Sequence, residues 1–138
     1  MEIEGININD NDLIFVPVGG SNEIGMNMNL YHFSGKWIIV DLGISFGDDT
    51  MPGVDILVPD PSFIEAQREN LLGIVATHGH EDHIGGIPYL WERLRCPIFS
   101  TPFTASLIRR KLIEKGIVEK VKLVEINSSS KFEVGPFK

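Results

Sequence analysis

Leu72-Gly-Ile-Val-Ala-Thr-His78-Gly-His80-Glu-Asp82-His83-Ile-Gly85-Gly86 is the stretch that decides how the rest of this chain is read. An apolar run of strand length ends abruptly in three imidazoles and two carboxylates within six positions. In an extended segment alternate side chains point the same way, so His78 and His80 aim at one point and can chelate one ion. Asp82 and His83 fall where the chain turns toward the glycine pair, so they can face a second ion a few ångströms away. Imidazole and carboxylate donors suit zinc first, with manganese or iron as the other occupants. Two ions about 3.5–4 Å apart can activate water and clamp both oxygens of an in-line displacement at phosphorus. The spacing therefore points to a metallohydrolase, with Asp82 also placed to orient the nucleophile or take its proton. A histidine-rich surface loop without metal is the alternative, and the concentration of ligand types directly after a buried strand argues against it. Glu81 points between the ligands and reads as supporting them or as solvated, rather than as a ligand.

Outward from this loop the chain has the makings of one domain. It holds 138 residues, 43% of them hydrophobic, which is ordinary for a globular chain. The single cysteine, Cys96, excludes a disulfide framework and reads as core packing. Residues 1–12 form a polar leader, expected to be frayed, with neither the basic region nor the apolar stretch of a secretory signal. No apolar run approaches the length of a membrane span. The expectation is a soluble, cytoplasmic protein. A formal charge of −7 sits awkwardly with a polyanionic substrate. Arg109, Arg110, Lys111, Lys115, Lys120 and Lys122 cluster late in the chain, where a solvated helix face explains them better than a phosphate track.

The scaffold follows from periodicity and turn chemistry. Leu13 to Val18 reads as a strand. Met28 to Phe33 pairs with Lys36 to Leu42 across the two-residue turn Ser34-Gly35. Asp60-Pro61 looks like an N-cap and first helical position, opening a helix to about Asn70. A strand from Leu71 to Thr77 delivers the metal loop. A helix over Gly86 to Arg95 carries Ile87, Leu90, Trp91 and Leu94 on one stripe. Pro97 to Ser100 is a short strand, and a second helix runs from Thr101-Pro102 to Gly116 with Phe103, Leu107, Ile108 and Leu112 turned inward. Val121 to Ile126 and Lys131 to Val134 read as further strands. This order suits an α+β layer with the sheet between helices. His32 reads as structural. Asp48, Asp49 and Asp55 lack a calcium-loop pattern and read as a solvated loop. Gly19-Gly20 lacks a phosphate-loop signature and reads as tight backbone passage.

The string His78-x-His80-x-Asp82-His83 resembles the signature of the metallo-β-lactamase superfamily. The longer run Ala76 to Leu90 is similar to the ribonuclease J branch. So are Gly19-Gly-Ser-Asn-Glu-Ile-Gly25 with Asn27 beyond it, Ile38-Ile-Val-Asp41-Leu-Gly43, and Pro52 to Asp60. The resemblance implies an αββα sandwich, and two zinc ions held by His78, His80, Asp82 and His83. It makes Asp41, otherwise an ordinary turn aspartate, a carboxylate that orients a ligand histidine or the attacking water. It further implies cleavage of RNA, internally and from the 5′ end, an inserted β-CASP domain, and homo-oligomers. The chain departs from the pattern in one respect, for no histidine follows His83. It is therefore expected to be the N-terminal half of the sandwich. Residues 13–138 would form a partial domain that stops before the third ligand motif, without the β-CASP domain. Such a fragment is expected to be inactive alone and to hold metal partly or not at all. The rival readings are a hydrolase of a small thioester, lactam or lactone, and a non-catalytic folding or interaction unit.

Overall fold

The computed structural model describes residues 1–138. In chain order the elements are β1 (Glu2–Ile3), β2 (Ile6–Asn7), β3 (Ile14–Gly19), β4 (Met28–Phe33), β5 (Lys36–Val40), β6 (Ser45–Phe46), β7 (Ile56–Leu57), α1 (Ser62–Ala66), β8 (Leu71–Val75), α2 (Glu81–Ile84), α3 (Ile87–Leu94), β9 (Ile98–Ser100), α4 (Pro102–Lys115) and β10 (Leu123–Glu125). Six strands form the main sheet in the order β10-β9-β8-β5-β4-β3. β3, β4 and β5 are antiparallel neighbours, whereas β5, β8, β9 and β10 run parallel.

The parallel half dictates the layering. Each strand after β5 is added on the same side of the one before, and right-handed crossovers then put every connecting helix on one face. Ile64 of α1, Ile84 of α2, Ile87, Leu90, Trp91 and Leu94 of α3, and Ile108 and Leu112 of α4 all join one core cluster. On the sheet side that cluster is built from a cross-strand row, Leu30, Ile39, Ile74 and Ile98, in register and fully buried. Trp37 lies beside this row, with its ring edge-on to Phe63 at 5.3 Å. His32 is buried against Trp37, with ring centroids 4.8 Å apart, which agrees with a structural role.

The helices cover one face only, as the half-sandwich expected from the resemblance requires, and this corrects the reading of a sheet between helices made from element order alone. One α layer on one β layer is half of an αββα sandwich. The opposite face carries Phe15 and Tyr31, paired across β3 and β4 with centroids 5.1 Å apart. It also carries Phe99, on which Phe132 stacks at 6.3 Å.

Local expectations fared unevenly. The Ser34-Gly35 hairpin forms as expected, with positive φ at both turn residues. Residues 1–12 are not simply frayed: Glu4 and Gly5 make a similar turn between β1 and β2, and Ile8 is buried. The helix after Asp60 is shorter than expected, ending at Ala66 before a 3₁₀ turn over Arg68–Asn70. Pro61 stands outside that helix, and Asp60 instead accepts the Ser62 N–H at 2.9 Å. Phe103 is 73% exposed rather than inward. It lies five residues before Ile108, which on a helix is a rotation of roughly 140° away from the inward stripe. Lys131 to Val134 does not form a strand; only Val134 pairs, with Phe137, around the Gly135-Pro136 turn. No helix is long and apolar enough to cross a membrane.

Burial sets two expectations for stability. Ile39→Ala opens a cavity at the centre of the fully buried row and is expected to cost about 2–5 kcal/mol. Ile24→Ala, at a side chain 96% exposed, should stay within about 0.5 kcal/mol, with urea unfolding as the measurement for both. Burial also pushes the Cys96 thiol up from its ordinary 9.0 to about 12. The folded chain therefore keeps this proton where the unfolded chain loses it. Stability from this group is complete below pH 9.0 and falls as pH rises toward about 12, so chemical denaturation at successive pH values should show the decline there. A thiol reagent at pH 8 should label Cys96 only after unfolding.

Candidate metal centre

The parallel strands open at one edge of the sheet, and the sequence places its chemistry there. Asp41 follows β5, Thr77 and His78 follow β8, and Asn27 immediately precedes β4. Backbone hydrogen bonds stitch these loops together. The Asp41 N–H donates to Val75 O at 2.9 Å, Leu42 N to His83 O at 2.8 Å, and Ile44 N to Glu81 O at 3.1 Å. Asn27 N donates to Asp82 O at 3.0 Å, and Gly43 N to Asn27 O at 2.9 Å. The approach is close enough that a methyl group on Gly43 would overlap the Asp82 carbonyl. Glycine is required at 43 for that reason.

Asp41 is the centre of the network. It is buried, and its φ of +66° lies in the left-handed region, which aspartate tolerates better than most residues. Its Oδ1 accepts the Thr77 N–H at 2.8 Å. Its Oδ2 lies 2.8 Å from the Thr77 hydroxyl and 2.7 Å from His83 Nδ1. A carboxylate only accepts, so His83 carries its proton on Nδ1 and leaves Nε2 as an open lone pair. The Thr77 hydroxyl has one proton, which goes to Asp41. Its oxygen, 2.9 Å from His78 Nδ1, then accepts from that nitrogen and leaves Nε2 of His78 open as well. Asp41 thus sets two imidazoles, one directly and one through a threonine.

The other expected ligands are brought alongside. The His78 ring lies 4.0 Å from that of His83 and 4.6 Å from that of His80, centroid to centroid. His83 Nε2 and Asp82 Oδ2 are 3.4 Å apart. The edge of a tetrahedron around an ion with bonds of roughly 2.1 Å is about 3.4 Å, so this pair has the bite of a metal chelate. No three His, Cys, Asp or Glu side chains converge in that way. A tetrahedral ion on the Asp82–His83 pair would take its remaining donors from water or other groups. Glu81, read as supporting the ligands or as solvated, forms an ion pair with Lys111 of α4 and ties that helix to the loop.

Sequence reasoning missed Thr77 as the link between Asp41 and His78. It also missed the Asn27 side chain, whose Nδ2 donates to Asp82 O at 3.1 Å. The late basic cluster does not make a free phosphate track. Arg109 pairs with Glu125 and Lys120 with Glu92, while Lys115 sits over the Tyr89 ring at 5.4 Å.

These features converge on one family. The metallo-beta-lactamase superfamily model matches residues 26–125, and the chain belongs to that superfamily. Within it, the sequence is similar to ribonuclease J. It is 39% identical over 132 residues to that of Sinorhizobium meliloti, covering 93% of this chain and 23% of the relative. It is 41% identical over 128 residues to that of Corynebacterium glutamicum, covering 92% and 18%. The chain thus spans about a fifth of the length of the curated relatives it matches. Among solved structures, zinc-bound PqqB from Methylobacterium extorquens superposes with a TM-score of 0.54 at 16% identity, over 81% of this chain and 39% of that one. Human tRNase Z, short form, does so with 0.50 at 16% identity, over 82% and 44%. At that identity the likeness shows the fold.

The Asp41 network predicts a change that stability alone would not reveal. In Asp41→Asn the left-handed backbone is still tolerated, and one amide oxygen can keep the Thr77 N–H. The amide nitrogen then faces His83 Nδ1, and the His83 proton is expected to move from Nδ1 to Nε2. Long-range proton–nitrogen correlation of the imidazole reads this directly. Asp41→Ala, which strips the acceptor from all three donors, should lower the unfolding free energy by about 1–3 kcal/mol.

Proposed function

We propose that this chain is the N-terminal part of a two-zinc ribonuclease that cleaves RNA phosphodiesters from the 5′ end and internally. The observation that carries the proposal is the Asp41 network, which leaves Nε2 of His78 and of His83 unprotonated at one edge of the sheet. The similarity to several ribonuclease J proteins supports the substrate class. His78 and His80 would hold one ion, and Asp82 and His83 the other. When bound, the ions supply Lewis-acid polarisation of a phosphate oxygen and activation of water. The chain's own residues do the rest. Asp41 fixes the tautomers of His78 and His83, and Asp82 orients the nucleophile or takes its proton.

The donor count supports a half-site, in which the remaining ligands come from a later part of the protein. The ion pairs that occupy Arg109, Lys111 and Lys120 suggest that most RNA affinity lies there too. A cytoplasmic homo-oligomer acting in RNA processing completes the proposal.

The test compares the full-length protein with the 138-residue chain. The full-length protein should carry close to two zinc ions by elemental analysis and degrade 5′-monophosphorylated RNA until the metal is chelated. Asp82→Ala and His83→Ala should each lower that rate at least about a hundredfold. The short chain should show neither turnover nor tight metal. Two tightly held ions in the short chain would sink the half-site. Turnover of a simple thioester or lactone by the full-length protein, with RNA left intact, would sink the ribonuclease.

A further inference from the structure

We propose that the Asn27 carboxamide occupies the third corner of the ion site on Asp82 and His83, as a neutral stand-in that keeps both donors converged when no ion is bound. The inference rests on the metal reading above and goes beyond it, because Asn27 lies outside the ligand motif. Asn27 Nδ2 is 3.4 Å from Asp82 Oδ2 and 3.4 Å from His83 Nε2, which are themselves 3.4 Å apart. An equilateral triangle of that edge is the face of a tetrahedron around an ion with bonds of roughly 2.1 Å.

The chemistry of the corner is equally specific. The atoms that Nδ2 faces are the Asp82 carbonyl at 3.1 Å, its carboxylate, and the unprotonated nitrogen of His83. All three are acceptors, so only the NH₂ end of the amide belongs there. It is a donor with a partial positive charge, and from the third corner it gathers the same lone pairs that a cation at the centre would gather.

The side chain is also held in place. Asn27 N donates to Asp82 O at 3.0 Å, and the Asn27 carbonyl accepts from Gly43 N at 2.9 Å. A methyl group on Gly20, where φ is +89°, would overlap Asn27 Oδ1, so the glycine loop closes over the amide. Two consequences follow. Removing the amide loosens the pair and weakens its grip on an ion. Replacing it with an isosteric carboxylate puts an anionic ligand at the third corner and tightens that grip, as added ligand charge does at oxygen-rich cation sites.

The experiment is a Co²⁺ titration of the 138-residue chain, carried into the millimolar range and followed by d–d absorption, with Zn²⁺ competition. The variants are Asn27→Ala, Asn27→Asp and, as a control for the site, His83→Ala. The expected order of affinity is Asn27→Asp, then the unaltered chain, then Asn27→Ala, with about tenfold between neighbours. Asn27→Asp should also shift the d–d bands as a protein carboxylate replaces water on the ion. A purely structural role for Asn27 would weaken binding in both variants, in step with their thermal stability. Asn27→Asp is isosteric, so it decides the matter against the unaltered chain even if Asn27→Ala does not fold. Binding by Asn27→Asp no tighter than by the unaltered chain overturns the proposal, as does unchanged affinity in a folded Asn27→Ala. If His83→Ala binds Co²⁺ as the unaltered chain does, the metal reading of this pair fails and takes the inference with it; if no variant binds it, the inference about Asn27 fails alone, because a half-site completed by a later part of the protein still stands.

Discussion

One buried carboxylate holds the working edge of this protein together. Asp41 receives the Thr77 N–H, the Thr77 hydroxyl and the His83 Nδ1–H. The carboxylate is itself buried, and leaving it unpaired there would cost about 1–3 kcal/mol or more. The left-handed backbone at Asp41 belongs to the same device. It turns the chain sharply out of β5 so that Leu42 and Ile44 run back along the metal loop and donate to His83 O and Glu81 O. A left-handed residue with a Cβ is disfavoured by about 1–2 kcal/mol. Three hydrogen bonds at its own side chain and two from the residues that follow offset that cost. Backbone geometry and imidazole tautomers are therefore set by one residue.

The fold supplies the edge on which this happens. β5, β8 and β9 run parallel, so the loops after β5 and β8 emerge on one side of the sheet, and the two loops can reach one another. The same directionality sends every helix to one face. The tight seam between loops also explains the glycines. Gly43 lies against the Asp82 carbonyl, and Gly86 donates its N–H to Leu42 O at 2.9 Å. Side chains at either position would push the loops apart and take His83 away from Asp41.

The loop that carries His78, His80, Asp82 and His83 was legible in the sequence because these residue types are contiguous and follow an apolar strand. The hairpin at Ser34-Gly35 was legible because two residues decide it. Asp41 was legible only through resemblance, since a lone aspartate after a strand has many ordinary uses. The Asn27 side chain meets Asp82 and His83 across 55 and 56 residues, and no local pattern encodes that meeting. Thr77 was overlooked for a different reason: it neighbours His78, but its role follows from the partner shared with His83. The one-sided helix layer was legible only through resemblance, because it follows from strand order, which pairing decides and periodicity does not. Phe103 illustrates the limit of counting apolar residues on a helix, where the angle around the axis decides burial.

Charge at this edge gives the site an order of events. Asp41, Glu81 and Asp82 stand within the same loop cluster, and Lys111 answers only Glu81. Asp41 and Asp82 each have an imidazole beside them but no lysine or arginine. At the short range of a loop cluster, charge of one sign is only partly screened by salt. A phosphate approaching these residues directly meets repulsion, whereas a divalent cation is drawn to the lone pairs that the carboxylates have aimed. A bound cation would reverse the sign of the local field and make the same edge receptive to an anion. Under the ribonuclease proposal, the ion would therefore precede the phosphate on electrostatic grounds, and the acidic balance of the chain would favour that first step.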